Sequence, residues 1–174
     1  MIGIIIGTNR HNSISRKVGI SYQNLLTTLG EESKIIDLAE LPQDFVFSAL
    51  YHNSGKNEAF NDFQKIIDDT TKFVFIVPEY NGSFPGVLKS FFDGLRYPDS
   101  FNNKKAALVG ISAGVLGNAV GLGHLNDILS YMGTDVLGLR IKLGNMNTHF
   151  NGEEFIFDVY LNFLVKQARA LIAF

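Results

Sequence analysis

Cysteine is absent from this chain of 174 residues, so no disulfide, thiolate metal ligand or cysteine redox couple can form. Redox chemistry, if there is any, must therefore be carried by a bound cofactor. Neither sign of charge dominates. Lys and Arg number 15 against 17 Asp and Glu, a net charge of −2, which leaves no global basic field to attract nucleic acid. Long apolar runs are missing as well. Stretches such as Ala106–Ile111 fall far short of the ~20 residues that a membrane helix needs. Met1 leads straight into a strand-like run with no basic segment or cleavage site, so the expected location is cytoplasmic. Common site motifs are also lacking. There is no G-x-G-x-x-G after the first strand and no G-x-x-x-x-G-K-[ST], which argues against a dinucleotide-binding Rossmann domain and a P-loop ATPase. No acidic pair follows the first strand, as a phosphorelay receiver would require. His11, His52, His124 and His149 are scattered without H-E-x-x-H spacing, so no metal site is expected.

What is present reads as a folded α/β chain. Hydrophobic residues make up 46% and charged ones 18%, enough apolar content for one large core and a single domain over residues 1–174. Ile2–Ile6 is a β-branched strand ending at Gly7. Ile14, Val18, Tyr22, Leu25, Leu26 and Leu29 then recur at helical spacing until Gly30. Lys34–Leu38 is the second strand, Leu41–Gly55 a long loop that could hold a helical turn, and Asn57–Thr70 a helix carrying Phe60, Phe63, Ile66 and Ile67. The run Phe73–Val77 fits a strand buried on both faces, which Pro78 ends. Asn81-Gly82 predicts a turn, with Ser83 as a cap and Pro85 in the first turn of the next helix. Phe84, Val87, Leu88, Phe91, Phe92 and Leu95 form one face of that helix. Ala106–Ile111 is strand four, and a helix bearing Leu125, Ile128, Leu129 and Met132 follows. Asp135–Ile141 is predicted as an edge strand, Gly144–Gly152 as loop, and a last helix starts near Asp158 after an extended Phe155–Phe157. Strands alternating with helices imply a five-stranded parallel sheet in a three-layer sandwich, compatible with the flavodoxin-like order 2-1-3-4-5.

Three polar crests fall at the carboxyl ends of the predicted strands, where ligands of open α/β sheets bind. The first, Gly7–Ser15, gathers the hydroxyls of Thr8, Ser13 and Ser15, the Arg10 guanidinium and the free amides of a helix start. Such a set can surround a phosphate, whereas an ordinary helix cap would account for Ser13 alone. With the nucleotide-loop motifs missing, a mononucleotide-like phosphate is the better candidate. The second crest, Pro78–Ser83, offers turn amides and the flat ring of Tyr80, a surface for a planar heterocycle. In the third, Ser112–Asn118, Gly114, Gly117 and, further on, Gly121 let main chain approach a ligand. Gly110–Gly114 also matches G-x-S-x-G, so a hydrolase with Ser112 as nucleophile and His124 or His149 as base is a competing expectation.

The pieces GTNRHNSISRK (Gly7–Lys17), PEYNGSFPGVLKSFFD (Pro78–Asp93) and GISAGVLGN (Gly110–Asn118) resemble the NAD(P)H-dependent FMN reductase family. That family has the flavodoxin-like fold and includes quinone, chromate and azo-dye reductases. The resemblance runs in order and spacing to about the end of strand five. It implies that Thr8, Arg10, Ser13 and Ser15 hold the FMN phosphate. Pro78, Glu79, Tyr80, Asn81 and Gly82 would line the isoalloxazine, and Ser112 with Gly114 would approach its pyrimidine side. Many relatives carry serine in place of Thr8 and asparagine in place of Ser15, both exchanges that keep a polar ligand. The implied activity is electron transfer from NADPH or NADH through FMN to a small acceptor such as a flavin, quinone, azo compound or metal oxyanion. The flavin carries the chemistry, so no catalytic residue is expected. A homodimer or homotetramer is the implied assembly. The alternative is a flavodoxin-like electron carrier or flavin sensor without turnover; Arg10 in the phosphate loop and a charge of only −2 lean against it.

Overall fold

The computed structural model describes residues 1–174. Its elements, in chain order, are β1 (Ile2–Ile6), α1 (Ile14–Thr28), β2 (Ser33–Asp37), α2 (Phe45–Ser48), α3 (Glu58–Asp68), β3 (Lys72–Pro78) and α4 (Gly86–Gly94). There follow β4 (Lys105–Ile111), α5 (Ala119–Tyr131), β5 (Asp135–Val136), β6 (Ile141–Leu143), α6 (Met146–His149) and α7 (Asp158–Ala173). The sheet runs β2-β1-β3-β4-β5, with β6 also on β4, and every pairing is parallel. The expected flavodoxin-like order is thus present.

The central strands are near-continuous apolar runs because helices cover both of their faces. On one face Val18, Tyr22 and Leu26 of α1 and Leu164, Ala168 and Leu171 of α7 pack on Ile4, Ile6, Val74 and Val109. On the other, Phe60 of α3, Leu88 and Phe91 of α4 and Leu122, Leu125 and Leu129 of α5 pack on Ile5, Phe75 and Leu108. Each fully buried Val, Leu, Ile or Phe among them contributes roughly 1.5–3 kcal/mol relative to exposure.

Strand five departs from expectation, being split in two. Val136 lies opposite Ala106 and Ile141 opposite Val109, so four residues intervene on the edge where β4 has two. The excess bulges out at Leu137–Arg140 and would strand a carbonyl of β4. Gln167 of α7 prevents this: its Nε2 donates to Leu108 O at 2.9 Å and to Leu139 O at 2.7 Å. Its Oε1 accepts from the Tyr22 hydroxyl at 3.3 Å, and both side chains are fully buried. Two predicted loops hold short helices, α2 within 41–55 and α6 within 144–152. The extended stretch before α7 reduces to a single antiparallel bridge between Phe150 and Phe155. No helix is long and apolar enough to cross a membrane.

Candidate functional site

The carboxyl ends of β1, β3 and β4 open into one cleft of about 620 Å³, within the range of small-molecule sites. Its first wall is the turn from β1 into α1, where Arg10, His11, Asn12, Ser13, Ile14 and Ser15 face the cavity. Ser13 has extended backbone and caps α1, its Oγ accepting from Arg16 N at 3.1 Å. The amides of Ile14 and Ser15 have no acceptor in the protein, as expected for the first turn of a helix. The Ser15 hydroxyl, nearly buried, has no protein partner, and the Arg10 guanidinium makes no ion pair. Neighbouring Arg16 is already committed, its Nε donating to Asp37 Oδ2 at 3.0 Å.

Thr8 plays a different part from its neighbours. It is fully buried and outside the lining, with Oγ1 3.0 Å from the Tyr80 hydroxyl and accepting from Arg10 N at 3.2 Å. It therefore shapes the first crest and ties it to the second. Of that second crest, Pro78, Glu79 and Tyr80 line the cleft and Asn81 and Gly82 do not. Those two form the turn, with φ of 52° and 76°, while Tyr80 and Ser83 exchange both backbone hydrogen bonds at 2.9 and 3.1 Å. The sequence marked Asn81-Gly82 as a turn for this reason: both residues tolerate positive φ. The predicted Ser83 cap is absent. Pro85 precedes α4 without a side-chain cap, and Ser83 Oγ lies 2.9 Å from His124 Nδ1 instead.

Asn118 braces the second crest from the third, its Nδ2 donating to Val77 O at 3.2 Å and Pro78 O at 3.0 Å. Gly121 makes room for that brace, since a Cβ there would stand 2.1 Å from Asn118 Oδ1 and 2.7 Å from the Ser83 carbonyl carbon. On the third crest Ile111, Ser112 and Ala113 face the cleft and Gly114 does not. The Ser112 hydroxyl is spent on its own loop, donating to Gly114 O at 2.7 Å and accepting from Gly117 N at 2.9 Å. His124 bonds Ser83, and His149 Nδ1 lies 3.3 Å from Gly144 O, so neither pairs with Ser112. The G-x-S-x-G match is thus a turn staple with no nucleophile–base pair. Reasoning from sequence missed Met146 and Asn147, which complete the lining from a segment expected to be loop. Four consecutive residues of α6 leave no periodic signal that could have flagged them.

A basic, hydroxyl-bearing helix start thus faces a tyrosine-lined groove at the carboxyl ends of β1, β3 and β4. A model of the family described as NADPH-dependent FMN reductase matches residues 1–145. The chain belongs to this family. FMN and NAD(P)H are accordingly its cofactors, and its chemistry is that of an FMN reductase-like oxidoreductase. It is 28% identical over 134 residues to a 2-hydroxy-1,4-benzoquinone reductase of a Burkholderia species, covering 75% of this chain and 70% of that one. It is 27% identical over 119 residues to a quinone reductase of Pseudomonas putida, covering 67% of this chain and 62% of that relative's length. Among solved structures, FerB, an NAD(P)H:(acceptor) oxidoreductase of Paracoccus denitrificans, superposes with a TM-score of 0.80 at 22% identity. That superposition covers 99% of this chain and 94% of FerB.

The cleft suits FMN on its own chemistry. Two unsatisfied amides, an unpartnered hydroxyl and an unpaired guanidinium converge at the start of α1, the donor set of a phosphate site. The same cleft is lined by Tyr80 on the second crest and by Ser112 and Ala113 on the third.

Proposed function

We propose that this chain, as one flavodoxin-like domain over residues 1–174, passes electrons from NADPH or NADH through FMN to a small acceptor such as a flavin, quinone, azo compound or metal oxyanion. The observation that carries the reading is the set of unspent donors on the first crest opening into a tyrosine-walled cleft. Arg10, Ser13 and Ser15 hold the phosphate together with the Ile14 and Ser15 amides. Pro78, Glu79 and Tyr80 wall one side of the ring, and Ser112 with Ala113 the other. Thr8, Asn81, Gly82 and Gly114 act at one remove, by fixing the shape of the crests. FMN, when bound, supplies the two-electron chemistry, and the protein's task is to orient it and exclude water.

The decisive experiment is an absorption spectrum of the purified protein before and after FMN addition and desalting, followed by NADPH under anaerobic conditions. Retained flavin bands that bleach with NADPH are expected. Absence of bleaching, with free FMN as well as bound, would end the reductase reading. Steady-state NAD(P)H oxidation with an added acceptor separates a reductase from an electron carrier.

The working form is a cytoplasmic homodimer or homotetramer. In support, Tyr51, Tyr97 and Tyr131 stand exposed around an apolar groove of about 520 Å³ floored by Phe92, Leu95, Ile128 and Met132. Exposed apolar area of this kind on α4 and α5 favours association. Sedimentation equilibrium giving a monomer at all concentrations would refute the assembly.

A further inference from the structure

The family match ends at residue 145, whereas the wall of the cleft continues through Met146 and Asn147. This wall is fastened to the third crest by three backbone bonds. Ser112 N donates to Leu143 O at 3.0 Å, Asn145 N to Gly114 O at 2.8 Å and Met146 N to Ser112 O at 3.2 Å. Gly144 is pressed so close to the crest that a Cβ there would lie 2.4 Å from Val115 O. From behind, the Tyr160 hydroxyl donates to Gly144 O at 2.9 Å and accepts from Gly144 N at 3.1 Å. The His149 ring packs on Phe157 at 4.9 Å and edge-on to Tyr160 at 5.3 Å. Met146 is only 1% exposed. The segment is thus held on both sides, the support a positioned binding group needs.

Asn147, at the front of this wall, is exposed to the cleft, and its side-chain amide has no hydrogen-bond partner in the protein. An amide offers donors and an acceptor together, the complement of a hydroxyl, which also gives and takes. The phosphate donors occupy the first crest, and the ring walls come from the second and third. What joins phosphate to ring in FMN is a polyol, and the wall left to receive it is α6. Resting on the FMN reading above, we propose that Asn147 is a binding residue for the ribityl hydroxyls of the flavin, supplied by a segment outside the family match.

The test is equilibrium binding by flavin fluorescence quenching for wild type and Asn147→Ala, with FMN, riboflavin and lumiflavin as probes. Lumiflavin has the ring and lacks the polyol; riboflavin has the polyol and lacks the phosphate. Loss of one or two neutral hydrogen bonds should raise Kd for FMN and riboflavin alike by about threefold to tenfold. Lumiflavin affinity should not change. Asn147 is exposed and unbonded, so N147A is expected to melt with the wild type, and the same titration of Asn147→Gln should recover part of the loss. Unchanged FMN and riboflavin affinity in N147A would overturn the inference. Equal weakening of lumiflavin would overturn it too, by moving the amide to the ring. Wild-type protein that binds none of the three would instead bring down the FMN reading, and this inference with it.

Discussion

Replacing Gln167 with leucine would leave an apolar side chain of comparable size and delete the amide that holds the split edge of the sheet. The change orphans the carbonyls of Leu108 and Leu139 and removes the acceptor of the Tyr22 hydroxyl. An unsatisfied buried polar group costs about 1–3 kcal/mol. Leu108 O and the Tyr22 hydroxyl lie in the core and should bear most of that cost, while Leu139 O is partly exposed and can recruit water. Added apolar burial by leucine returns about 1 kcal/mol. The net loss for Q167L is therefore roughly 1–5 kcal/mol, or about 2–20 °C in Tm for a chain of this size. Urea unfolding of the apoprotein, followed by far-ultraviolet circular dichroism, measures it. The double variant Q167L/Y22F removes one of the orphaned groups and should regain about 1 kcal/mol relative to Q167L, a coupling that a double-mutant cycle isolates. If Q167L unfolds within about 0.5 kcal/mol of wild type, the amide is not what sustains the broken strand.

Two further outcomes follow from the same geometry. Arg10→Ala should weaken FMN by about tenfold to a hundredfold, the worth of a charge-assisted contact to phosphate, and leave riboflavin affinity unchanged; equal losses for both flavins would remove Arg10 from the phosphate site. Burial pushes the Tyr22 phenol well above its ordinary value of 10.0, so at alkaline pH the folded state keeps a proton that unfolded tyrosine has released. Stability must then fall as pH rises past about 10, and Tyr22→Phe should show a shallower decline in urea midpoints over that range; parallel slopes for the two proteins would contradict this.

Much of the architecture was legible because it is written locally. Unbroken apolar strands, the Asn81-Gly82 turn and the helical face of Val87, Leu88, Phe91 and Phe92 each declare themselves within a few residues, although Phe84 and Leu95, read as the ends of that face, lie just outside α4. The split of strand five was not legible. Nothing in Asp135–Ile141 signals that its register slips, because the carbonyl this would strand is rescued by Gln167, 59 residues away from Leu108. Within the site, Arg10, Ser13, Ser15, Pro78, Glu79, Tyr80 and Ser112 could be gathered from their positions after β1, β3 and β4, since every parallel strand delivers its following loop to the same edge.

Taken alone, the sequence determined the fold class, the three crests and the family, since composition, period and motif are properties of contiguous residues. Only the tertiary structure decided how each polar group is used. Thr8 and Ser112 look like ligands in the chain, yet one bonds Tyr80, 72 residues on, and the other closes its own loop. Ser15, Arg10 and Asn147 look no more promising in sequence and are among those left unpaired at the cleft. A hydrogen bond satisfied across the fold is invisible to any local pattern, and so is the one left open for a ligand.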